Sequence, residues 1–270
     1  VYFLFFEKIK NTLDIKKFFA IWENQSIDKA IFKSIKKNFI NCKNYGILVE
    51  NFPISYISSY PTKLEILENF TPNNILVPGI RMKKIFKSLS SKLNIVDLTL
   101  FKYESLISKN NSQASKILLI LPIYLDECIF ILKKIAKAID KSNNIKIKFH
   151  PTINSNLFIK SNPEFSFLQK YFTQENISLS IKKSNKVILG TSSLFYNFIC
   201  SNIQIGILSK RFNNIKDVYG LNSKNATFLN DDEVLKKFLK NKTISYKTDL
   251  KKFNKLYTPF KKEKLYRLWK

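Results

Sequence analysis

Short apolar runs rich in β-branched residues alternate along the chain with longer segments of helical periodicity. Apolar runs bounded by turn residues are typical of buried strands, whereas apolar positions at i, i+3, i+4 and i+7 indicate helices. In the first part of the chain this pattern predicts strands over residues 16–24, 44–51, 73–79 and 94–101, and helices over residues 26–37 and 80–89.

A polar stretch rich in serine and asparagine, KYESLISKNNSQASK at residues 102–116, interrupts the alternation and is predicted to be a linker. The pattern then resumes, with strands over 117–122, 145–149, 186–190, 203–208 and 226–229, and helices over 125–139, 194–201 and 230–241. Such alternation predicts parallel sheets with helices on both faces. We therefore expect an α/β chain of two Rossmann-like lobes, a short first lobe over residues 1–110 and a second over residues 111–270 that ends in a basic helix.

The composition supports a folded protein without a membrane span. The 270 residues are 45% hydrophobic and include 24 Phe and 12 Tyr, which excludes a disordered tail. The longest apolar run, residues 117–125, is interrupted by Pro122 and falls short of the roughly 20 residues that cross a bilayer. The opening VYFLFF lacks a basic leader and is too short for a signal peptide. We expect a cytoplasmic protein.

The sequence gives no indication of a metal or cofactor. Cys42, Cys128 and Cys200 are far apart, form no CxxC pair and are accompanied by one histidine. A zinc site needs clustered thiolate and imidazole ligands. We therefore expect no metal, no cofactor and three unreactive thiols in a reducing compartment.

The formal net charge of +26 makes nucleic-acid binding an alternative to be considered. Only Arg81, Arg211 and Arg267 are arginines, so 46 − 3 = 43 of the basic residues are lysines. Base recognition depends on the bidentate arginine fork, and lysine is inflated together with Asn, Ile and Phe, as expected of an AT-rich genome. We expect a general preference for anionic partners and no specific nucleic acid.

The only histidine, His150, ends the predicted strand IKIKF and directly precedes Pro151. Period-two alternation puts Lys146, Lys148 and His150 on one face of that strand, and Pro151 holds His150 in extended backbone. Ligands of parallel α/β sheets bind beyond the carboxyl ends of the strands. Lys148 and His150 are therefore candidate ligand contacts, and an exposed or capping histidine is the alternative.

A second polar segment, GTSSLF, begins at Gly190, at the end of the predicted strand KVILG and 40 residues after His150. The small residues Gly190, Thr191, Ser192 and Ser193 leave the first N–H groups of a following helix open, and their hydroxyls add donors. Open N–H groups and the helix dipole form an anion site that suits a phosphate. Ordinary N-capping by Ser or Thr explains the segment equally well, so both interpretations stay open.

The familiar nucleotide-binding and hydrolase motifs are absent from the sequence. The five glycines form neither GxGxxG nor a Walker sequence, so dinucleotide and P-loop interpretations fail. There is also no GxSxG elbow, and a serine-hydrolase triad is not indicated.

The strand-end motifs resemble those of a known enzyme group. KIKFHP followed by SNKVILGTSSLFYNFICSNIQIGIL is similar to the HP and SS/ST motifs in the C-terminal lobe of bacterial GT-B glycosyltransferases, including sialyltransferases and capsule-polysaccharide and CDP-glycerol transferases. FFAIWENQSIDKAIFKSIKK and ILVPG resemble the first lobe of the surface-carbohydrate relatives of that group. The resemblance spans most of residues 17–240.

The resemblance implies that His150, Ser192 and Ser193 contact the phosphate of a nucleotide-activated sugar, often a CMP-sugar. It implies a metal-independent glycosyltransferase whose acceptor is a surface glycan or a lipid-linked sugar. The acidic motif that supplies the general base in sialyltransferases is not found as such. Glu23 is the candidate for that role, and Glu50, at the end of the next predicted strand, is its rival.

The lysine-rich surface suits a cytoplasmic enzyme that visits the anionic inner face of the membrane to meet a lipid-linked acceptor. Codon drift explains the same charge equally well. Two further classes stay open: a non-catalytic GT-B-like protein, and a basic nucleic-acid-binding protein that shows salt-steep binding.

Overall fold

The computed structural model describes residues 2–52, 56–98, 116–140, 143–199, 201–210, 226–241 and 256–257. The chain divides into two compact units, the first formed by residues 1–102 with 250–270 and the second by residues 103–249. Each unit is built on its own parallel sheet.

The first unit alternates strands and helices in the predicted order, with two short helices added. Its described elements are α1 (Tyr2–Ile9), β1 (Lys17–Ile21), α2 (Ser26–Asn38), β2 (Lys43–Ile47), a 3₁₀ turn (Ile57–Ser59), α3 (Lys63–Leu67), β3 (Asn74–Val77), α4 (Ile80–Leu89) and β4 (Asn94–Asp97). The predicted helices correspond to α2 and α4. With 8 and 5 residues, α1 and α3 are too short to show a clear helical periodicity, and we did not predict them.

The four strands of the first sheet are parallel and lie in the order β1-β2-β3-β4. A cluster of completely buried side chains on one side of the sheet includes Trp22, Phe32, Ile75, Met82 and Phe86. Burial of each such side chain contributes about 1.5–3 kcal/mol. Along the chain, each new strand is added on the same side of the preceding one. The spatial order of the described strands in this sheet therefore does not reverse.

The two described residues of the C-terminal segment group with the first unit, whereas the sequence pattern predicted residues 111–270 as the second lobe. These residues, Leu256 and Tyr257, are each 1% exposed. The Asn51 amide Nδ2 donates to the Leu256 carbonyl at 3.1 Å, and a Cβ added to Gly79 would lie 2.3 Å from the same oxygen. These contacts join positions far apart in sequence, so no local pattern could indicate them.

The second unit carries a larger sheet. Its described elements are β5 (Lys116–Ile120), α5 (Leu125–Ala138), β6 (Ile145–Lys148), α6 (Ser155–Ser161), a 3₁₀ segment (Pro163–Tyr171), α7 (Ile177–Lys182), β7 (Ser184–Leu189), α8 (Phe195–Phe198), β8 (Gln204–Ile207), β9 (Ala226–Phe228) and α9 (Asp232–Lys240). The five strands are parallel, in the order β6-β5-β7-β8-β9. Four consecutive buried positions end β7 and fill β8, as expected of strands covered on both faces.

A lysine lies within the buried strand β7. Lys186 is 3% exposed, and its Nζ donates to the carbonyl oxygens of Phe238 and Asn241 at 2.6 and 2.5 Å. Burial lowers the pKa of Lys186. Two carbonyls at the C-terminal end of α9 offset this desolvation, because a helix C-terminus favours a positive charge. Lys186 therefore connects β7 to α9 by hydrogen bonds.

The predicted α/β chain with two parallel-sheet lobes is confirmed, and among the described residues the first sheet has four strands and the second has five. Residues 102–115 of the predicted linker lie outside the described residues. Between β6 and β7 the structure adds α6, the 3₁₀ segment and α7, where the sequence analysis assigned nothing. No helix within the described ranges is long and apolar enough to cross a membrane.

Replacing Gly79 by Ala should destabilise the first unit by about 1–3 kcal/mol, because the new Cβ would overlap the Leu256 carbonyl. Asn51→Ala removes the hydrogen bond to the same carbonyl and should cost about 1 kcal/mol. Since both changes act on one oxygen, the double variant should cost less than the sum in denaturant unfolding. If the two losses of stability simply add, the contacts of Gly79 and Asn51 do not act jointly on the Leu256 carbonyl.

Candidate functional site

The second sheet brings the two predicted strand-end groups to one edge. Ile120 of β5 pairs with Lys148 of β6 on one side and with Leu189 of β7 on the other. His150 and Thr191 each follow their paired residue by two positions, so they leave the sheet at the same level. Two strand spacings separate β6 from β7, which puts these strand ends about 10 Å apart.

The order of strands reverses at this edge. The chain goes from β5 outward to β6, then passes back to β7 on the other side of β5 and continues to β8 and β9. At such a switch point the connections leave toward opposite faces of the sheet and open a crevice beyond the strand ends. Residues 121–124 follow β5 and residues 190–194 follow β7, so this crevice is the candidate site.

His150 is half-buried just beyond β6, and Thr152 fixes its ring. Its Nδ1 lies 2.7 Å from Thr152 Oγ1 and accepts the Thr152 backbone N–H at 3.3 Å. A backbone N–H can only donate, so Nδ1 is an acceptor and the neutral imidazole carries its proton on Nε2. The Nε2–H group is therefore the donor that His150 offers to a ligand.

Lys148 lies on the same strand as His150, and its ammonium already has a partner. Its Nζ donates to the Glu175 carbonyl oxygen at 2.7 Å. A contact between Lys148 and a ligand phosphate would require this hydrogen bond to break or be shared. The phosphate contact of Lys148 stays a prediction.

Gly190 and Thr191 have structural roles in the turn after β7. A Cβ at Gly190 would lie 2.9 Å from Pro122 and from Ile131, so only glycine fits without displacement. Thr191 is 8% exposed, and its N–H and its hydroxyl both donate to Glu127 Oε1, at 3.1 and 2.8 Å. The hydroxyl that we assigned to a phosphate already donates to Glu127, so a phosphate contact of Thr191 stays a prediction that would require this hydrogen bond to be shared.

Glu127, in the first turn of α5, is completely buried at the centre of a hydrogen-bond network. Besides Thr191, the Ser209 hydroxyl donates to its Oε1. Asn230 joins the Ser209 backbone at two points: Oδ1 accepts the N–H at 3.1 Å, and Nδ2 donates to the carbonyl at 3.0 Å. Because Ser209 follows β8 and Asn230 follows β9, the network links four neighbouring connections of the sheet.

Ser192 and Ser193 are half-buried at the start of α8. The Ser192 hydroxyl accepts the Leu194 N–H at 3.2 Å, a contact within the turn before α8, and among the described residues no side-chain hydrogen bond caps α8 itself. Our predicted helix over 194–201 was too long, since α8 covers only Phe195–Phe198. A single turn has a weak dipole, so any anion contact here depends mainly on local N–H and hydroxyl groups. A phosphate contact of Ser192 and Ser193 stays a prediction.

In the first unit, Glu23 and Glu50 follow the adjacent strands β1 and β2, at the carboxyl edge of that sheet. Asn24 has φ 63°, and its Nδ2 donates to the carbonyls of Ser58 and Tyr60 at 3.0 and 2.9 Å, which fixes the turn at Glu23. Glu23 is exposed and Glu50 is half-buried. The choice between them as general base stays open.

Glu127 and Ser209 were not identified from the sequence, although it contains a signal for each. Glu127 precedes Ile131 and Ile135 by four and eight residues, so helical periodicity puts an acid on the apolar face of α5. Ser209 follows the last residue of β8 by two positions, the same offset that separates Thr191 from the end of β7.

The two described thiols are buried, and burial raises the pKa of each. The pKa of Cys128 rises to about 12, mainly by desolvation and further through the charges of Glu127 and Asp126. Thiols with so little thiolate are unreactive; Cys200 lies outside the described residues. Within the described ranges no group of three or more His, Cys, Asp or Glu side chains could hold a metal ion.

No protein-family model and no curated protein matches the chain. Among solved structures, it is similar to the pneumococcal O-GlcNAc transferase GtfA in complex with UDP and GlcNAc, at 9% identity and a TM-score of 0.47 over 76% of this chain and 44% of that one. It is also similar to the wall teichoic acid polymerase TagF, at 13% identity and a TM-score of 0.44 over 84% of this chain and 62% of that one.

A third similar structure is an α,α-trehalose-phosphate synthase (UDP-forming) from Burkholderia vietnamiensis, at 6% identity and a TM-score of 0.46 over 90% of this chain and 70% of that one. The chain spans less than half the length of GtfA and less than two thirds of that of TagF. Because these TM-scores are below 0.5, the similarities do not by themselves establish a shared activity.

Replacing Glu127 by Ala should destabilise the second unit by about 3 kcal/mol, because buried donors of Thr191 and Ser209 would lose their acceptor. Glu127→Gln keeps one acceptor oxygen and should cost about 1 kcal/mol. Denaturant unfolding measures both. Asp126→Ala, at a neighbouring exposed carboxylate, is the control and should change stability by less than about 1 kcal/mol. Equal stability of all three variants would contradict a central role for Glu127.

Proposed function

We propose that the protein is a glycosyltransferase that moves a sugar from a nucleotide-activated donor to a surface glycan or a lipid-linked acceptor. A CMP-sugar is the favoured donor, because the HP and SS/ST motifs of the resembled group are often used with one. The observation that supports this most is the meeting of His150 and the Gly190–Ser193 segment at the switch point of the second sheet.

The donor phosphate would lie in that crevice, between the two strand ends about 10 Å apart. His150 would donate through Nε2–H, the proton position that its contact with Thr152 favours. The N–H and hydroxyl groups around Ser192 and Ser193 would supply further donors.

In the transfer step, the acceptor hydroxyl oxygen forms a bond to the anomeric carbon while the bond from that carbon to the phosphate oxygen breaks. The electron pair of the broken bond stays on the nucleotide phosphate, whose growing charge the donors of the second unit would stabilise. Glu23, or its rival Glu50, is the proposed general base for the acceptor's proton. No step in this scheme requires a metal ion.

The partners follow from the same proposal. A lipid-linked acceptor would be met at the anionic inner face of the membrane, where a lysine-rich surface favours contact. The expected location is the cytoplasm with peripheral membrane contact, and no specific nucleic acid is a partner. A protein that keeps the fold and binds a nucleotide without turnover is the second candidate, because Lys148 and Thr191 are engaged within the protein.

His150→Ala should lower turnover about ten- to a hundredfold, because one hydrogen bond to a charged group is worth about 1.5–3 kcal/mol. His150→Gln keeps an N–H donor and should recover part of the loss. Thr152→Val removes the partner of Nδ1 and should have a smaller effect than His150→Ala. Steady-state kinetics with the nucleotide sugar measures all three, and near wild-type turnover of His150→Ala would remove His150 from the mechanism.

Thermal-shift measurements with CMP, CDP, UDP and GDP compounds separate the candidate functions. Stabilisation by one nucleotide class, followed by turnover with its sugar, is the result expected of the glycosyltransferase. Stabilisation without turnover would identify the non-catalytic form. Tight, salt-steep binding of any polynucleotide with no nucleotide response would identify a nucleic-acid-binding protein and refute the proposal.

A further inference from the structure

A separate polar cavity lies in the first unit, at the amino-terminal edge of its sheet. It has a volume of about 500 Å³ and lies against the second half of α2, the start of β2 and the residues before β3. Asn44, the second residue of β2, lines it, whereas Glu23 and Glu50 lie beyond the carboxyl ends of β1 and β2. The cavity is therefore at the opposite edge of the sheet from the candidate general bases.

Asn44 lines this cavity and carries a hydrogen-bond donor that is unsatisfied among the described residues. The side chain is 1% exposed, and its Oδ1 accepts the Asn73 backbone N–H at 2.6 Å. Since a backbone N–H only donates, this contact identifies the other amide atom as the NH₂ group. That Nδ2 is buried and meets no hydrogen-bond acceptor in the described part of the chain. An unsatisfied buried donor is costly, so an acceptor from outside the protein would be favoured here.

The lysines of α2 supply positive charge to the same cavity. Lys33 pairs with Glu68 at 3.8 Å and lies over the Phe70 ring. Lys36 is half-buried and, among the described residues, has no carboxylate or carbonyl partner. Burial lowers its pKa to about 8, which reflects an ammonium that is desolvated without compensation. Lys37 also lines the cavity and is exposed.

We propose that this cavity binds a phosphate group, with Lys36, Lys37 and the Asn44 amide as its donors. Three lysines and one glutamate line it, so the excess charge is positive and matches a phosphate dianion. A phosphate oxygen would satisfy the buried Nδ2, and the anion would replace the water that Lys36 has lost. This site is independent of the proposed transfer reaction, since it uses none of the residues assigned to that reaction.

Two sources of phosphate fit this chemistry, a soluble phosphorylated molecule and the headgroup of an anionic lipid. Ile40 lines the cavity and is 87% exposed. A lipid whose headgroup entered the cavity would let Ile40 insert among the acyl chains, as apolar residues beside basic ones do at membrane surfaces. A soluble ligand would leave Ile40 in water. Ile40→Ser therefore distinguishes the two sources.

The first arm of the test measures thermal unfolding with increasing inorganic phosphate, against potassium chloride of equal ionic strength. Wild type should be stabilised in a saturable manner. Lys36→Met and Asn44→Asp should each weaken phosphate binding about ten- to a hundredfold, the loss expected for one hydrogen bond to a charged group. Lys87→Met changes an exposed lysine of α4 and should respond as wild type does, which also controls for general salt effects.

Lys36→Met has a second readout that separates binding from a structural role. Without phosphate, the variant should unfold at a higher temperature than wild type, because it no longer buries an uncompensated ammonium. A lysine that served only the fold would destabilise the protein when replaced. The combination of a more stable protein and a lost phosphate response is the result expected of a binding lysine.

The second arm measures sedimentation with vesicles of phosphatidylcholine, with and without phosphatidylglycerol. Binding that requires phosphatidylglycerol, Lys36 and Ile40 would identify a lipid headgroup as the phosphate source. A phosphate response without vesicle binding, and unchanged in Ile40→Ser, would identify a soluble ligand. If neither probe binds, or if Lys36→Met and Asn44→Asp respond as wild type does, the proposed site is refuted.

Discussion

The carboxylate of Glu127 connects the loops on which the candidate site depends. Loops that follow parallel strands have no shared ladder of hydrogen bonds, so something else must hold them. Here one buried oxygen accepts two donors from Thr191 and one from Ser209. A buried acceptor oxygen is costly unless donors meet it, and buried donors are costly without an acceptor, so Oε1 and the loops stabilise each other. The position of Ser192 relative to the sheet follows from this network, while Thr152 fixes His150 separately.

Local patterns predicted the parts of the structure that local forces determine. Apolar runs indicated most of the strands, helical periodicity indicated α2, α4 and α5, and Pro151 correctly marked the end of β6. The role of Thr191 could not be predicted, because its partner Glu127 is 64 positions away. The contact of Leu256 with Asn51, 205 positions apart, was missed for the same reason. Hydrogen bonds between distant parts of the chain depend on the tertiary fold. Hydrophobic periodicity and residue propensity do not encode them.

The two sheets differ in whether their strand order allows a ligand crevice to form. Crevices for ligands form where strand order reverses, because the flanking connections then diverge to opposite faces. The second sheet has such a reversal between β5 and β7, and the described strands of the first sheet do not. Glu23 and Glu50 follow strands of the first sheet, whereas His150, Thr191 and Ser192 follow strands of the second. A crevice at the strand ends is therefore expected in the second unit, beside His150 and Ser192.

Codon drift accounts for many of the 43 lysines, because an exposed lysine costs little wherever it falls. Codon drift does not account for buried lysines, because burying an ammonium destabilises the fold unless other contacts compensate for it. In Lys186 the cost is offset by the carbonyls of Phe238 and Asn241. Lys36 has no such partner among the described residues, and burial lowers its pKa to about 8. Composition therefore explains the net charge of the protein but not the half-buried position of Lys36, which the proposed phosphate site would explain.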